Sequence, residues 1–338
     1  MTPDPKPIRE WHDVTRAQFE GDIRPLGQPA VLRGLERDWP LVRHGLNSAK
    51  DAADYLVQFY RGQPVSAITV PASEHGRIFY NSDMTGYNFS RTQEDLRNVL
   101  GALVRAASTP DGRTIAMQAI PAQDALPGFT GEHAMALAPE IVPNLWIGSA
   151  AIVAPHYDLW ENIACVAVGR RRFIVFPPEQ LPNLYVGPLD NTPAGTPVSM
   201  VPLVDPDLDR YPRYREALAA AQVAELGPGD ALYIPYMWWH GVLALEPFNV
   251  LVNYWWNDAK SRSQVHPATA LVAARLAFLD LPEEQRRVWR DAFEHYVFGA
   301  GEDALAHLPP HARGILGELD DRQIAAAKQA IAGAFTDR

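Results

Sequence analysis

The segment Val153–Gln180, VAPHYDLWENIACVAVGRRRFIVFPPEQ, places an imidazole and a carboxylate, His156 and Asp158, two residues apart. An asparagine, an apolar run, three arginines and a double proline follow. Alternate residues of an extended chain project to one face, so His156 and Asp158 project together and Tyr157 points away. Two such groups can take adjacent positions on one metal ion. A second imidazole would complete the facial set of two histidines and one carboxylate that leaves three positions open and suits Fe(II). His240, in IPYMWWHGV, follows one strand-like run and starts another, which makes it the candidate third ligand. A lone HxD is a weak motif, and a histidine bonded to a surface aspartate is its ordinary reading. The β-rich setting and the later histidine between strands strengthen the metal reading. His44, His75 and His133 lie in polar segments, and His266, His295, His307 and His311 in a helical tail, where surface or capping roles are the default.

The arginines extend the argument. If Phe173 and Val175 face inward, Arg171 does too; a register slip would instead turn Arg170 or Arg172 inward. A buried guanidinium needs an anionic partner. That partner is either a protein carboxylate or the distal carboxylate of a bound acid, which a guanidinium fork matches. Asn162 shares parity with His156 if the strand is continuous. Asn253 sits in LVNYWW, otherwise apolar, with Trp255 on the same parity. Both asparagines read as pocket hydrogen-bonding groups, and Trp255 as a wall of the same cavity. Trp238 and Trp239 read as core packing.

Outward from this segment, TIAMQAI, NLWIGSAAIVA, NIACVAV, RRFIVFPP, ALYIPY, GVLALE and NVLVNYWW are short apolar runs separated by turns, all within residues 114–257. That spacing predicts a sandwich or barrel, with the jelly roll the leading form. A Pro-rich insertion with a helix, YREALAAAQVAEL, occupies about 187–226. Residues 1–113 read as mixed α/β elements. Their helices start at SAKDAADYLVQFY, with Ser48 as cap, and at TQEDLRNVLGALVRAAS from Thr92. Between them, GRIFYNSDMTGYNFS suits a loop near a site, and Tyr80, Asn81 and Asp83 are its candidate substrate-facing residues. From 258 to 338 the apolar period is helical, as in a cover for the core or a subunit interface.

The composition narrows the function. Of 338 residues 47% are apolar and 21% charged, which describes a globular chain rather than a disordered one. The single cysteine, Cys165, excludes an intramolecular disulfide and reads as a small core residue in a reducing compartment. A net charge of −10 argues against nucleic acid as a partner. No apolar leader and no stretch long enough to span a membrane is present, so the expectation is a cytoplasmic protein with no membrane contact.

Taken together, NLWIGS…APHYDLWENIACVAVGRRRFIVFPPEQLPNLY, GPGDALYIPYMWWHGV and NVLVNYWW resemble the JmjC and cupin-like Fe(II)/2-oxoglutarate oxygenases over about residues 114–257. The likeness is to the cupin-8 branch, which includes bacterial cupin-like proteins and the asparaginyl hydroxylase of hypoxia-inducible factor. It implies a mainly β fold with α elements: a double-stranded β-helix core with N-terminal α/β elements and C-terminal helices. It also implies His156, Asp158 and His240 as iron ligands, and Asn162 and Asn253 as hydrogen-bonding residues near 2-oxoglutarate. Arg171 stands where the family often has a lysine for the distal carboxylate of that cosubstrate. Val153 stands where the hydroxylase has a threonine. The implied reaction is hydroxylation of a protein or peptide side chain or of a small molecule, by a homodimer formed through the C-terminal helices. Two other classes stay open: a metal-dependent cupin enzyme that does not use 2-oxoglutarate, and a non-catalytic sensor or binding module.

Overall fold

The computed structural model describes residues 5–259, 261–299 and 305–336. Its strands, in chain order, begin with β1 (Lys6–Pro7), β2 (Glu10–His12), β3 (Ala30–Arg33), β4 (Val65–Val70), β5 (Arg77–Ile78) and β6 (Ser90–Glu94). The series continues with β7 (Thr114–Pro121), β8 (Asn144–Gly148), β9 (Ala151–His156), β10 (Glu161–Val168) and β11 (Arg171–Phe176). It ends with β12 (Gln222–Leu226), β13 (Ala231–Ile234), β14 (Trp239–Ala244) and β15 (Asn249–Trp256). They form two sheets. One runs β1-β12-β11-β14-β9-β5, the other β2-β3-β13-β10-β15-β8-β7-β4-β6. This is the jelly-roll arrangement expected from the strand spacing, mainly β with α.

β10 shows why the sequence folds this way. Ala164 and Val166 pack with Phe173 and Val175 of β11, Val242 of β14 and Leu251 of β15, in the layer between the two sheets. Ile163, Cys165 and Ala167 point the other way, into a larger core with helices α1 (Pro40–Asn47), α2 (Ala49–Phe59) and α3 (Leu96–Ser108). A strand covered on both faces has no polar side to alternate with, hence the unbroken NIACVAV. Cys165 is fully buried there as a small core residue. The entry to β10 is locked by Arg24, which donates to both carboxylate oxygens of Glu161 at 2.8 and 3.0 Å.

The condition on Asn162 is not met, and two local expectations change. β9 ends at His156 and β10 starts at Glu161 in the other sheet, so Asn162 owes its direction to β10 alone. The second N-terminal helix starts at Leu96, because Ser90–Glu94 pairs with β4 first. Asp95 caps it by accepting from the Arg97 amide. Ser48 caps α2 as read from the sequence, its hydroxyl accepting from the Asp51 amide; such a cap is worth about 1 kcal/mol. The insertion helix α4 (Tyr214–Ala220) also stops short of the expected end, and residues 222–226 form β12 in the core sheet, paired with β11.

Met1–Asn257 forms one compact unit and Asp258–Arg338 a second. The second holds α5 (Pro267–Ala277), α6 (Glu283–Phe293) and α7 (Asp321–Thr336). Among its described residues only Leu305 is buried, while Leu271, Leu276, Trp289, Phe298 and Phe335 are exposed. Among the described residues, no helix is long and apolar enough to cross a membrane.

Candidate metal centre

His156 closes β9 and lies directly opposite His240 on β14 in the antiparallel register. The ring centroids are 4.3 Å apart. On its other side β9 is held by the insertion, where the Ser199 amide donates to the Pro155 carbonyl at 2.7 Å. Asp158 lies two residues past the end of β9. Its main-chain carbonyl accepts from the Met237 amide at 3.1 Å, which ties the Asp158 loop to the turn that delivers His240. One ligand atom from each of His156, Asp158 and His240 lies within 4.8 Å of the others, as the HxD spacing and the later histidine suggested.

The tautomers follow from the neighbours. Nδ1 of His156 is 2.9 Å from the Ala154 carbonyl, and Nδ1 of His240 is 3.1 Å from the Trp238 carbonyl. A carbonyl only accepts, so each Nδ1 carries the hydrogen and each Nε2 presents a lone pair. Burial, and next the adjacent His240, pull the His156 pKa down to about 4, so this ring is neutral at pH 7. Asp158 Oδ2 stands 3.6 Å from His240 Nε2. Two imidazole lone pairs and a carboxylate thus converge in a buried space. A divalent cation of borderline or hard character satisfies that donor set, and the residues present fit Fe(II).

Around the triad the pocket is lined by Trp146, Val153, Asn162, Ala164, Arg171, Phe173, Val242, Leu251, Asn253 and Trp255. Asp158 Oδ2 accepts from the Trp255 indole at 3.1 Å and from the Asn162 amide at 3.4 Å. Arg171 points inward with Phe173 and Val175, the first of the registers considered. Arg170 and Arg172 stay outside, bonded to Glu225 and, for Arg170, Glu246. Arg171 donates to the Trp146 carbonyl at 3.2 Å, and its Nε is buried without a partner. Among the described residues no carboxylate pairs with it. Burial lowers its pKa to about 10, which leaves it cationic at neutral pH. A buried, incompletely bonded guanidinium facing a pocket is a site for an anion.

The sequence reading gathered Val153, Asn162, Arg171, Asn253 and Trp255 with the triad, and the structure brings them to one pocket. It does not bring Tyr80, Asn81 or Asp83 there. Tyr80 is buried, and its hydroxyl donates to the Asn191 carbonyl at 2.6 Å. Asn81 accepts from the Gly86 amide and Asp83 from the Thr85 amide, so both shape their own turn. The reading missed Trp146, whose indole donates to Asn253 Oδ1 at 2.9 Å. The available signal was strand alternation: Leu145 and Ile147 belong to the helix-side core, which leaves Trp146 on the pocket face.

Comparison with known proteins agrees with this geometry. The profile of the cupin-like domain family, Cupin_8, matches residues 16–262. The chain is 32% identical over 308 residues to HSPB1-associated protein 1 of Bos taurus, covering 81% of this chain and 60% of that one. It is 34% identical over 269 residues to tRNA wybutosine-synthesizing protein 5 of Gallus gallus, covering 72% and 74%. It is 39% identical over 116 residues to lysine-specific demethylase JMJ31 of Arabidopsis thaliana, covering 34% and 21%. The chain therefore spans about a fifth to three-quarters of the length of these relatives. A jelly roll that sets His156, Asp158 and His240 around one point, matched by that profile over most of its length, places the chain in the cupin-like domain family, Cupin_8.

Proposed function

We propose that the protein is an Fe(II)- and 2-oxoglutarate-dependent oxygenase that hydroxylates a protein or peptide side chain or a small molecule. The observation that carries this reading is one pocket holding two buried histidines with a half-buried carboxylate and, on a neighbouring strand, a buried guanidinium with no carboxylate partner among the described residues. His156 and His240 would hold iron through Nε2, and Asp158 through its carboxylate. When bound, iron and the 2-oxo acid supply the oxidising chemistry through dioxygen. The chain's own residues bind, orient and exclude water. Arg171 fixes the distal carboxylate of the cosubstrate, while Val153, Phe173, Val242 and Leu251 keep the surrounding walls apolar. Asn162 and Trp255 hold the Asp158 carboxylate by hydrogen bonds.

Arg171→Ala tests the cosubstrate role. The expected outcome is an apparent KM for 2-oxoglutarate raised by about tenfold or more, as follows from losing a charge-assisted bond of roughly 1.5–3 kcal/mol. An unchanged KM refutes the assignment. Val153 favours a second reading. It puts a methyl group where the hydroxylase has a hydroxyl, so a metal-dependent enzyme using another acid, or none, is the alternative, and the same assay without 2-oxoglutarate separates the two.

The relatives' names span a lysine demethylase, tRNA wybutosine synthesis and an HSPB1-associated protein, so the name of no single relative selects a substrate. The net charge of −10 favours a protein or small-molecule substrate over nucleic acid. The exposed apolar residues of α5 and α6 support a homodimer through the C-terminal helices.

A further inference from the structure

We propose that Trp146 is a positioning residue for Asp158, acting through Asn253 and Asn162; the inference rests on the metal reading above. An indole N–H only donates, and an ionised carboxylate only accepts. Between these ends the two amides have one consistent orientation. Trp146 Nε1 donates to Asn253 Oδ1 at 2.9 Å, Asn253 Nδ2 to Asn162 Oδ1 at 3.4 Å, and Asn162 Nδ2 to Asp158 Oδ2 at 3.4 Å. Every link points its donor towards the carboxylate. Trp255 supplies a second donor to the same oxygen and meets Trp146 edge to face, with ring centroids 5.9 Å apart. Two donors on one oxygen fix the rotation of the carboxylate, and partners of this kind set the geometry and basicity of a metal ligand. Both asparagines are buried, so a broken link strands polar atoms and the relay is held together.

Trp146 also anchors the other end of the pocket, through a different atom: its main-chain carbonyl accepts from Arg171. The two anchors are chemically separable. Trp146→Phe deletes the indole donor, keeps most of the ring and leaves the carbonyl.

The test is a titration of the metal-free protein with Co(II), whose visible d–d absorption reports the ligand geometry, in wild type, Trp146→Phe, Asn253→Ala and the double variant. The expected result is a Co(II) Kd raised by about tenfold in Trp146→Phe, with an altered band shape. The double variant should bind no more weakly than Asn253→Ala alone, because both changes cut one relay. Wild-type Co(II) affinity in Trp146→Phe overturns the proposal. So do losses that add in the double variant, and so does a weakened affinity with an unchanged band shape. If Trp146→Phe does not fold, Asn253→Ala carries the same prediction of weakened Co(II) binding with an altered band. Wild-type protein that takes up no Co(II) overturns the metal reading, and this inference with it.

Discussion

Glu36 lies outside the pocket. It is buried at 6% exposure, and its Oε1 has no hydrogen-bond partner. Burial pushes its pKa from 4.5 up to about 8. The protonated form is thus favoured in the folded state, while the unfolded chain ionises above about 4.5. As pH rises from there towards 8 the unfolded state loses a proton that the folded state keeps, so stability falls across that window and levels off above it. The total is on the order of 5 kcal/mol. Glu36→Gln should flatten this part of a plot of unfolding free energy against pH from 5 to 8. Equal slopes in the variant and the wild type would show that Glu36 ionises freely. Nothing in RGLERDWP reveals this burial, because a glutamate in a polar stretch reads as solvated. His133 is a parallel case. It sits in a polar stretch, yet it is fully buried and stacked on Phe129, with burial lowering its pKa to about 4. The candidate metal-binding cluster was legible because an HxD pair carries its geometry in two adjacent peptide units.

Elements were legible where one physical signal acted alone. The apolar runs of β7 to β11 and β13 to β15 are long enough to exclude a surface role, and Ser48 marks the start of α2. The signal failed where tertiary pairing overrode propensity. Gln222–Leu226 continues an alanine-rich helical pattern, yet it becomes β12 because Ala224 and Leu226 complete the layer between the sheets. Ser90–Glu94 likewise became an edge strand on β4 instead of the first turn of α3. The C-terminal helices carry the prediction that belongs at this scale. Ending the chain after Asn257 should leave the first unit folded and convert a dimer to a monomer, as read by sedimentation or light scattering. A truncated protein that remains dimeric places the interface elsewhere.

At the scale of the whole molecule, the pocket exists because two sheets approach closely enough for a residue of one to reach a residue of the other. β9 and β14 supply His156 and His240, β11 supplies Arg171, and β10, β15 and β8 of the facing sheet supply Asn162, Asn253 and Trp146. Partners such as Trp146 and Asn253 lie 107 residues apart, which no local period encodes. The resemblance to cupin-like oxygenases was legible in the motif order, and the profile match over residues 16–262 bears it out. If the proposed function holds, this meeting point binds iron and a 2-oxo acid together. An anaerobic titration of metal-free protein with Fe(II), then with 2-oxoglutarate, reads this through the visible charge-transfer band of an iron–2-oxo acid chelate. The band should appear in wild type and be absent in His156→Ala. Iron uptake without the band, or a band that persists in His156→Ala, would show that iron and the 2-oxo acid do not meet at this site.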